Sequence, residues 1–527
     1  MRKVLYVIAA ATLLAAGFFV GMQLPEGGPA QPPPDRSGTP EVGPATEPLT
    51  AEPESAFSRR EARPPLAEPP AGAVRGRATL SYGPRQIDEA LDWLRANGLE
   101  VTGVIRELGI VQIRYDAESR QRLAAALGED LAVGFDYPAE LPRPVPVSSE
   151  SGYLAVGERW KQLLKADALS TAGEGVTIAV IDQGDFSHPH LPKGAVDVRR
   201  RRGGSGDHGA QVASLLLAEG SPARDATILG WNAAGADGAP DTFAVAEAIV
   251  DAVAAGADVV NLSLGSYGDS PALAQAVALA QAHGVVIVAA AGNDNSGDPL
   301  YPAAYSAVFG TSATDGKPQR AAFSNRGASV SVAGPGVGVT VPGYDPETGD
   351  PANVLASGTS FAAPLFSASI AGVMTELGIS AAEAATRLTE TARDLGQPGH
   401  DPHLGAGLPD LARATRDPDE AIAALEFTSV YHQPPGPIGG GGVWLVIQNT
   451  GNVPLETIDI LSQTEAGTNR EHVLSLAPNE SRGHWIALPN ALPEGGLLVE
   501  GFATYHAQGE PGTRTAGVRT GLRAPGP

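Results

Sequence analysis

The segment "GVTIAVID" (Gly175–Asp182) is a short apolar run that ends in a carboxylate. Continuous apolar runs of this length are typical of strands that are buried on both faces of a parallel sheet. The sequence contains three further runs of the same kind: "ATILGW" (226–231), "ADVVNLSL" (257–264) and "GVVIVAAAG" (284–292). Helix-length stretches such as "DTFAVAEAIVDAVAAG" (241–256) and "SPALAQAVALAQAHG" (270–284) alternate with them. The alternation predicts an α/β fold over residues 153–415, with a parallel sheet and helices on both of its faces.

Different patterns flank this region on both sides. Residues 75–138 have the order strand, helix, two strands, helix and strand, which is that of a small ferredoxin-like α+β unit. Residues 424–523 consist of short apolar runs separated by Gly, Pro and Asn. They predict a small antiparallel β-sandwich of about seven strands. The segments 23–74, rich in Pro, Ala and Glu, and 139–152 are predicted to be linkers, the first of them disordered.

The N-terminus has the pattern of an export signal. Arg2 and Lys3 precede nineteen uncharged residues, 4–22, and a positive start followed by an apolar core directs a chain out of the cytoplasm. Residues 15–17 (Ala-Ala-Gly) form an acceptable cleavage site, but the run is also long enough to span a bilayer, which needs about 20 residues. Residues 1–22 are therefore either a signal peptide or a signal anchor. The protein is predicted to be exported, and to be either membrane-anchored on the extracytoplasmic side or periplasmic or secreted.

Composition excludes several classes of function. The formal net charge is −23, whereas a surface that binds phosphates needs clustered Lys and Arg, so nucleic acid is not an expected partner. The chain contains no cysteine. That absence excludes disulfides, thiolate metal sites and cysteine nucleophiles.

Four polar side chains stand where a parallel sheet places its functional groups, at strand ends and helix starts. Asp182 ends the first apolar run, Asn293 follows another, and His208 and Ser360 each begin a predicted helix. A serine hydroxyl needs a base within hydrogen-bond reach, a histidine supplies one, and a carboxylate orients the imidazole. A serine at a helix start also offers its backbone N–H to an oxyanion, and an asparagine can supply a second donor. The set favours acyl transfer.

The residues around Ser360 are expected to be structural. Ser357 and Thr359 suit turn chemistry and helix capping. Pro364 is expected in the first turn of the helix, where a missing N–H is tolerated.

Three segments carry a resemblance to a known family: "VIDQG" (180–184), "HGAQVAS" (208–214) and "GTSFAAP" (358–364). They resemble the aspartate, histidine and serine motifs of the subtilases, the subtilisin-like serine peptidases, in that family's order. Four further segments match in order: "VVNLSLG" (259–265), "VVIVAAAGND" (285–294), "YPAAY" (301–305) and "RAAFSNRG" (320–327). The resemblance covers about residues 153–415. It implies the subtilisin-like fold and a serine endopeptidase that hydrolyses peptide bonds through an acyl-enzyme.

The resemblance implies a role for each matched residue. Ser360 would be the nucleophile, His208 the general base and then the acid, and Asp182 its orienting carboxylate. Asn293 would donate a hydrogen bond to the oxyanion. The implied substrate-binding residues are the backbone edge Ser263, Leu264 and Gly265, the pocket wall Ala290, Ala291 and Gly292, and Leu300 near the base of the primary specificity pocket. A leucine at that base would shorten the pocket and favour small or medium apolar side chains.

The α+β unit at residues 75–138 resembles the propeptide domain of the same family. It would dock on two surface helices, place its C-terminal tail in the cleft, inhibit the enzyme and assist folding. Self-cleavage within Tyr137–Tyr153 would then separate the peptidase from the export segment, so the resemblance implies a self-processing zymogen. The alternative, an accessory domain that is retained, stays open.

The sequence departs from the family pattern close to the triad. Gln183 stands where Ser or Thr is usual, Ala210 replaces a usual Thr, and Gln211 replaces a common His. These changes remove hydroxyl groups but no triad atom, so altered rather than lost activity is expected. The segment "LLLAEGSPARDATILG" (215–230) leaves no room for the family's calcium loop. No metal site is therefore carried over, and calcium sites elsewhere stay open.

Two other polar clusters have competing interpretations. Arg199–Arg202 could border the cleft and favour acidic substrates, or be a processing site, but a solvated loop is the simpler interpretation. His400 and His403 resemble a metal pair. Their segment is similar to the turn that ends the family's catalytic domain, which favours a structural loop.

The predicted function is that of an exported serine endopeptidase that acts on polypeptides and is inhibited by its own propeptide. No cofactor is predicted beyond the calcium left open. The main alternative is a subtilase relative that binds peptides without cleaving them, and ester hydrolysis is a variant of the same chemistry. An uncleaved N-terminal segment would add a membrane contact. The sequence of the C-terminal sandwich does not indicate its role.

Overall fold

The computed structural model describes residues 68–126, 133–141, 153–200, 206–234, 239–434, 441–464, 467–488, 497–508 and 512–522. The predicted export segment 1–22 lies outside the described residues. So do residues 23–67 and 142–152 of the two predicted linkers, and Arg201 and Arg202 of the arginine run.

The first described unit is a four-stranded antiparallel sheet with two helices. Its elements are β1 (Arg77–Ser81), α1 (Ile87–Ala96), β2 (Val101–Ile105), β3 (Ile110–Arg114), α2 (Ala117–Ala126) and β4 (Val133–Gly134). The strand order is β2-β3-β1-β4, which is the ferredoxin-like arrangement that the element order predicts. Helix α1 buries Ile87, Ala90, Leu91 and Leu94, which recur at helical spacing and give it one apolar face.

Among the described residues, seven strands form one parallel sheet, which confirms the predicted fold class. They are β5 (Thr177–Asp182), β6 (Val196–Arg200), β7 (Thr227–Asn232), β8 (Val259–Leu262), β9 (Val286–Ala290), β10 (Val308–Thr314) and β11 (Val332–Pro335). The strand order is β11-β10-β9-β8-β5-β7-β6. Arg199 and Arg200 belong to the edge strand β6, and Arg199 pairs with Asp197. The first half of the arginine run is therefore strand rather than loop.

Helices cover both faces of this sheet, and a hairpin follows it. The helices are α3 (Trp160–Leu163), α4 (His208–Leu217), α5 (Thr242–Ala254), α6 (Pro271–Ala282), α7 (Thr359–Leu377), α8 (Ala381–Glu390) and α9 (Leu411–Ala414), and the hairpin is β12 (Val339–Tyr344) with β13 (Pro351–Ala356). Alternate residues of a strand face opposite sides. Ile178 and Val180 of β5 accordingly pack in one core with α4 and α7, whereas Ala179 and Ile181 pack in another with α5 and α6.

Helix α7 is the most deeply buried of these helices. Within the described part of the chain, it is the one helix that is long and apolar enough to cross a membrane, but most of it is buried inside the protein. Its apolar character therefore reflects a position in the core between the sheet and α4.

The C-terminal region is a β-sandwich, as predicted. The described strands are β14 (Leu425–Gln433), β15 (Gly442–Asn449), β16 (Leu455–Thr464), β17 (Gly467–Leu476), β18 (Ser481–Ala487), β19 (Leu497–Ala507) and β20 (Arg514–Leu522). They form the sheets β14-β15-β18 and β17-β16-β19-β20. Gln448 of β15 accepts hydrogen bonds from the Asp394 backbone N–H (3.1 Å) and from Arg413 (3.2 Å). These buried bonds attach the sandwich to the end of the α/β region.

Candidate active site

Asp182 and His208 meet at the carboxyl end of β5. Asp182 is the last residue of that strand and is fully buried, and His208 is the first residue of α4. Oδ1 of Asp182 lies 2.7 Å from Nδ1 of His208 and also accepts the Gln183 backbone N–H at 2.7 Å. The carboxylate therefore fixes the imidazole through Nδ1 and leaves Nε2 on the opposite side of the ring.

Two opposing effects act on the proton affinity of His208. Burial lowers the pKa of His208, because the imidazolium loses hydration, whereas the Asp182 carboxylate raises it by attraction and by hydrogen bonding. Asp207 adds to the attraction. The net effect is a raised pKa, so the site stabilises the protonated ring.

Ser360 lies beside this pair at the start of α7. It is the second residue of the helix and is buried. The next residue, Phe361, places its ring 5.8 Å from the His208 ring, centroid to centroid. Within the described part of the chain, the Ser360 hydroxyl donates to the Ser263 carbonyl at 3.2 Å and has no hydrogen bond to His208. Catalytic hydrogen bonds of this kind often form only when substrate is bound.

Asn293 is held against the same helix start. Its Oδ1 accepts hydrogen bonds from the backbone N–H and the hydroxyl of Thr359, both at 2.9 Å. These bonds turn Nδ2 toward Gly358, where an added Cβ would lie 2.9 Å from it. Thr359 therefore orients a candidate oxyanion donor, whereas Ser357 is structural and accepts the Gly338 N–H at 2.8 Å.

Pro364 has a different position from the one predicted. It is the sixth residue of α7, past the first turn. Because proline has no N–H, the carbonyl of Ser360, four residues earlier, lacks its usual helical partner. That carbonyl instead accepts the Ser263 hydroxyl at 2.8 Å. The proline thus allows the helix start to bond to the edge that follows β8.

Three of the predicted substrate-binding residues, Gly265, Gly292 and Leu300, line a cavity of about 660 Å³. Leu300 lies between its two walls, because a Cβ added to Gly265 would lie 2.7 Å from Leu300 and one added to Gly292 would lie 3.0 Å from it. Gly292 has φ +107° and its Cα faces the Asn325 side chain, so no other residue fits there. Leu264, Ala290 and Ala291 are buried behind this surface.

The segment Tyr137–Leu141 lies along the predicted substrate-binding edge as an added antiparallel strand. The Glu140 N–H donates to the Gly265 carbonyl at 2.8 Å, and the Gly265 N–H donates back at 3.0 Å. On the other side, the Ala139 N–H donates to the Pro240 carbonyl at 3.0 Å. The chain's own segment therefore pairs with the predicted substrate-binding edge as an extended peptide pairs with the edge of a sheet.

One oxygen of the Asp182 carboxylate has no hydrogen-bond partner among the described residues. Oδ2 of Asp182 is buried and accepts no hydrogen bond from any described residue. The sequence has Gln183 and Ala210 where the family usually has hydroxyl residues. The absence of hydroxyl groups at Gln183 and Ala210 therefore coincides with an Asp182 oxygen that accepts no hydrogen bond. An Asp182 carboxylate with fewer hydrogen bonds is less firmly oriented.

The sequence did not indicate an ion pair beside the added strand, formed with Asp241, which pairs with Pro138 of that strand. Arg77 of β1 forms an ion pair with Asp241 at 2.8 Å, with both side chains largely buried. Asp241 also caps α5 by accepting the Ala244 N–H at 2.8 Å. The capping pattern "DTF" was visible in the sequence, but a partner 164 residues away carries no local signal.

His400 and His403, which resemble a metal pair in the sequence, lie in a turn built around Asp401. His400 and His403 flank Asp401, whose Oδ1 accepts the N–H groups of His403 (2.7 Å) and Leu404 (2.9 Å) in a turn. No group of three His, Asp or Glu residues suited to a metal ion occurs among the described residues.

Residues 173–407 match the subtilase family. The chain is 35% identical over 289 residues to the minor extracellular protease Epr of Bacillus subtilis. The aligned region covers 51% of this chain and 43% of that protein. It is 33% identical over 274 residues to alkaline elastase YaB of a Bacillus species (48% of this chain, 67% of that protein). It is 34% identical over 258 residues to subtilisin Savinase of Lederbergia lenta (46% of this chain, 92% of that protein).

A solved structure shares the fold over most of the chain. Fervidolysin from Fervidobacterium pennivorans, a keratinolytic enzyme related to subtilisin, superimposes with a TM-score of 0.56 at 19% identity and covers 87% of this chain and 92% of that one. The matched motifs, the fold and the relatives agree. The chain belongs to the subtilase family of serine peptidases.

Proposed function

We propose that this chain is an exported serine endopeptidase that cleaves peptide bonds through an acyl-enzyme and is made as a self-inhibited zymogen. The observation that carries the proposal is the buried 2.7 Å bond between Asp182 and His208 beside Ser360 at the start of α7. A base fixed by a carboxylate next to a serine at a helix start is the arrangement that acyl transfer requires.

Ser360 and His208 would perform the proton transfers, with Asp182 stabilising the charge that forms on His208. The Ser360 hydroxyl turns from the Ser263 carbonyl toward Nε2 of His208, which accepts its proton as the oxygen attacks the peptide carbonyl. His208 then gives that proton to the leaving amine, and it activates the water that hydrolyses the ester. Asp182 stabilises the imidazolium formed in each step, which agrees with the raised pKa of His208.

Two donors would stabilise the tetrahedral oxyanion. Nδ2 of Asn293 faces Gly358, next to Ser360, and is oriented by the two bonds from Thr359. The Ser360 N–H is among the first N–H groups of α7, which have no partner within a helix. Both donors are fixed before substrate arrives, so little reorganisation accompanies the reaction.

The first described unit is proposed to be an inhibitory propeptide. Its segment Tyr137–Leu141 pairs with Gly265 in the manner of a substrate. Its sheet lies against the starts of α5 and α6, where Cβ atoms added to Gly103 and Gly134 would contact Phe243 and Pro271. A segment in the cleft excludes other peptides, so cleavage or displacement of this segment would activate the enzyme.

The substrates are proposed to be polypeptides with a small or medium apolar residue before the cleaved bond. Leu300 supports this preference, because its side chain fills the space between Gly265 and Gly292 at the pocket base. Export is supported by the uncharged run at residues 4–22 and by the name of one relative, an extracellular protease. Membrane anchoring or release depends on the fate of that run.

Covalent labelling by a fluorophosphonate, together with hydrolysis of casein, tests the proposal. Once the full chain has cleaved itself and freed the cleft, it is expected to react with the probe and to degrade casein, and Ser360→Ala is expected to lose both. Ser369→Ala is the matched control, because Ser369 lies in the same helix and its hydroxyl bonds only to the Leu365 carbonyl (2.8 Å) among described residues. Absence of labelling would favour the non-catalytic peptide-binding relative, and labelling without proteolysis would favour an esterase.

A further inference from the structure

We propose a distal substrate subsite for an aromatic side chain, formed by Thr242, Gly268 and their neighbours. Tyr137 occupies it in this structure, three residues before the residue that pairs with Gly265. The inference rests on the proposed function and names a substrate feature that this function leaves open. Peptides with Tyr or Phe at that position would be the preferred class.

Backbone contacts fix the position of the chain at this subsite. The Thr242 N–H donates to the Tyr137 carbonyl at 2.9 Å, and the Tyr137 N–H donates to the Thr242 hydroxyl at 3.0 Å. Both bonds involve main-chain groups of the bound segment, so any extended peptide could form them. Together with the bonds at Pro240 and Gly265, they hold the chain from residue 137 to residue 140.

The side-chain selectivity comes from Gly268. A Cβ added to Gly268 would overlap the Tyr137 ring, so the ring lies directly on the glycine backbone. Burial, with the Asp269 and Asp136 carboxylates, raises the pKa of Tyr137, so its hydroxyl stays protonated. A flat ring fits this platform, whereas an alanine side chain would leave most of it in contact with water.

The residues that surround the subsite are held by hydrogen bonds that do not involve the bound segment. The Tyr267 hydroxyl donates to Asp294 at 2.7 Å and accepts from Asn325 at 3.0 Å. The Tyr305 hydroxyl donates to Asp269 at 2.6 Å. Because these bonds join residues of the peptidase unit to one another, the subsite is expected to keep its shape when a substrate replaces the segment.

Two chromogenic peptides test the inference on the full chain after it has cleaved itself and freed the cleft: Asp-Tyr-Pro-Ala-Glu-Leu-Ala p-nitroanilide and the same peptide with Ala in place of Tyr. The antiparallel register places the residue two positions after the glutamate opposite Ser263, whose carbonyl contacts Ser360. Cleavage is therefore expected at the anilide. The Tyr peptide should have a kcat/KM about tenfold higher, as is typical for filling one apolar contact site.

A variant and a shorter substrate separate this effect from general changes. Gly268→Ala should bring the Tyr/Ala ratio close to one, while kcat/KM for Ala-Glu-Leu-Ala p-nitroanilide, which does not reach the subsite, should stay unchanged. Equal kcat/KM for the two long peptides in the unaltered protein would overturn the inference, whether or not the variant folds. So would fluorophosphonate labelling without cleavage of either peptide. Absence of both labelling and cleavage would overturn the proposed function and this inference with it.

Discussion

Raising the pH should weaken the docking of the segment Val133–Leu141, because Asp136 must then ionise while its side chain is buried. Asp136 is fully buried. Its Oδ2 accepts the Gln112 side-chain N–H at 2.8 Å, and its Oδ1 has no partner among the described residues. The charged groups that face it are Arg77 of β1 and Asp241 at the start of α5.

The size of the pH effect on docking follows from the pKa shift of Asp136. Burial is the main cause that raises the pKa of Asp136 from 3.8 to about 7; the Gln112 hydrogen bond and Arg77 oppose the shift, and Asp241 adds to it. Undocking returns the carboxyl to water. A shift of about three units corresponds to at most about 4 kcal/mol, or roughly a thousandfold in the docking equilibrium.

Whether docking is strengthened or weakened as the pH rises depends on which state, docked or undocked, binds the proton more tightly. The docked state keeps the carboxyl protonated up to about pH 7, whereas the undocked state releases the proton near pH 3.8. The stabilisation is therefore complete below about pH 4, is lost as the pH rises to about 7, and stays constant above that.

Hydrogen exchange of the Ala139 and Glu140 amides measures the effect directly, because both N–H groups donate across the interface. Ser360→Ala prevents self-cleavage during the measurement. After correction for intrinsic exchange, the opening equilibrium should rise between pH 5 and pH 7 and level off by pH 8. Asp136→Asn should remove this slope, while Asp88→Asn, at an exposed position of the same unit, should keep it. Equal protection at pH 5 and pH 8, or an unchanged slope in Asp136→Asn, would refute the reasoning.

The remaining predictions concern the active site. Since His208 must be neutral to accept a proton and Asp182 raises its pKa above 6.5, kcat/KM should rise with pH through an apparent pKa above 6.5. A pH–rate profile with its acidic limb at pH 6 or below would contradict this assignment. Leu300→Gly should open the space between Gly265 and Gly292 and increase the Phe-to-Ala ratio of kcat/KM, for the residue before the cleaved bond, about tenfold or more. An unchanged ratio in a peptide series would show that Leu300 does not limit the pocket.

The main features of the fold could be predicted because apolar runs report burial on both faces of a sheet. Strands β5, β7, β8 and β9 have this signal, whereas β6, β10 and β11 were not predicted. β6 is an edge strand with the charged sequence "VDVRR". β10 ("VFGTSAT") buries small polar side chains whose hydrogen bonds are made by distant residues, such as Thr314 to the Gly334 carbonyl at 3.1 Å. Hydrophobicity carries no signal for either case.

For the candidate site, too, one part could be predicted from the sequence and another could not. Residue types and their order along the chain indicated Asp182, His208, Asn293 and Ser360. Their orientation depends on contacts between distant segments. Pro364 shows the difference, since the sequence gives its missing N–H but not that Ser263 would bond to the carbonyl left without a helical partner.

The sequence by itself determined the class of fold, the family and the set of chemical groups, because strand burial, helix starts and short motifs are local properties. The family resemblance predicted a tail in the cleft, but only the tertiary structure decided that its residues at the Gly265 edge are Tyr137–Leu141. It also decided that Arg77 reaches Asp241 and that Asp136 is buried without a full set of partners. These contacts join residues more than a hundred positions apart, or depend on water being excluded between two packed units. Local hydrophobic periodicity does not indicate such contacts, because the sequence around a residue is the same whether or not a distant part of the chain covers it.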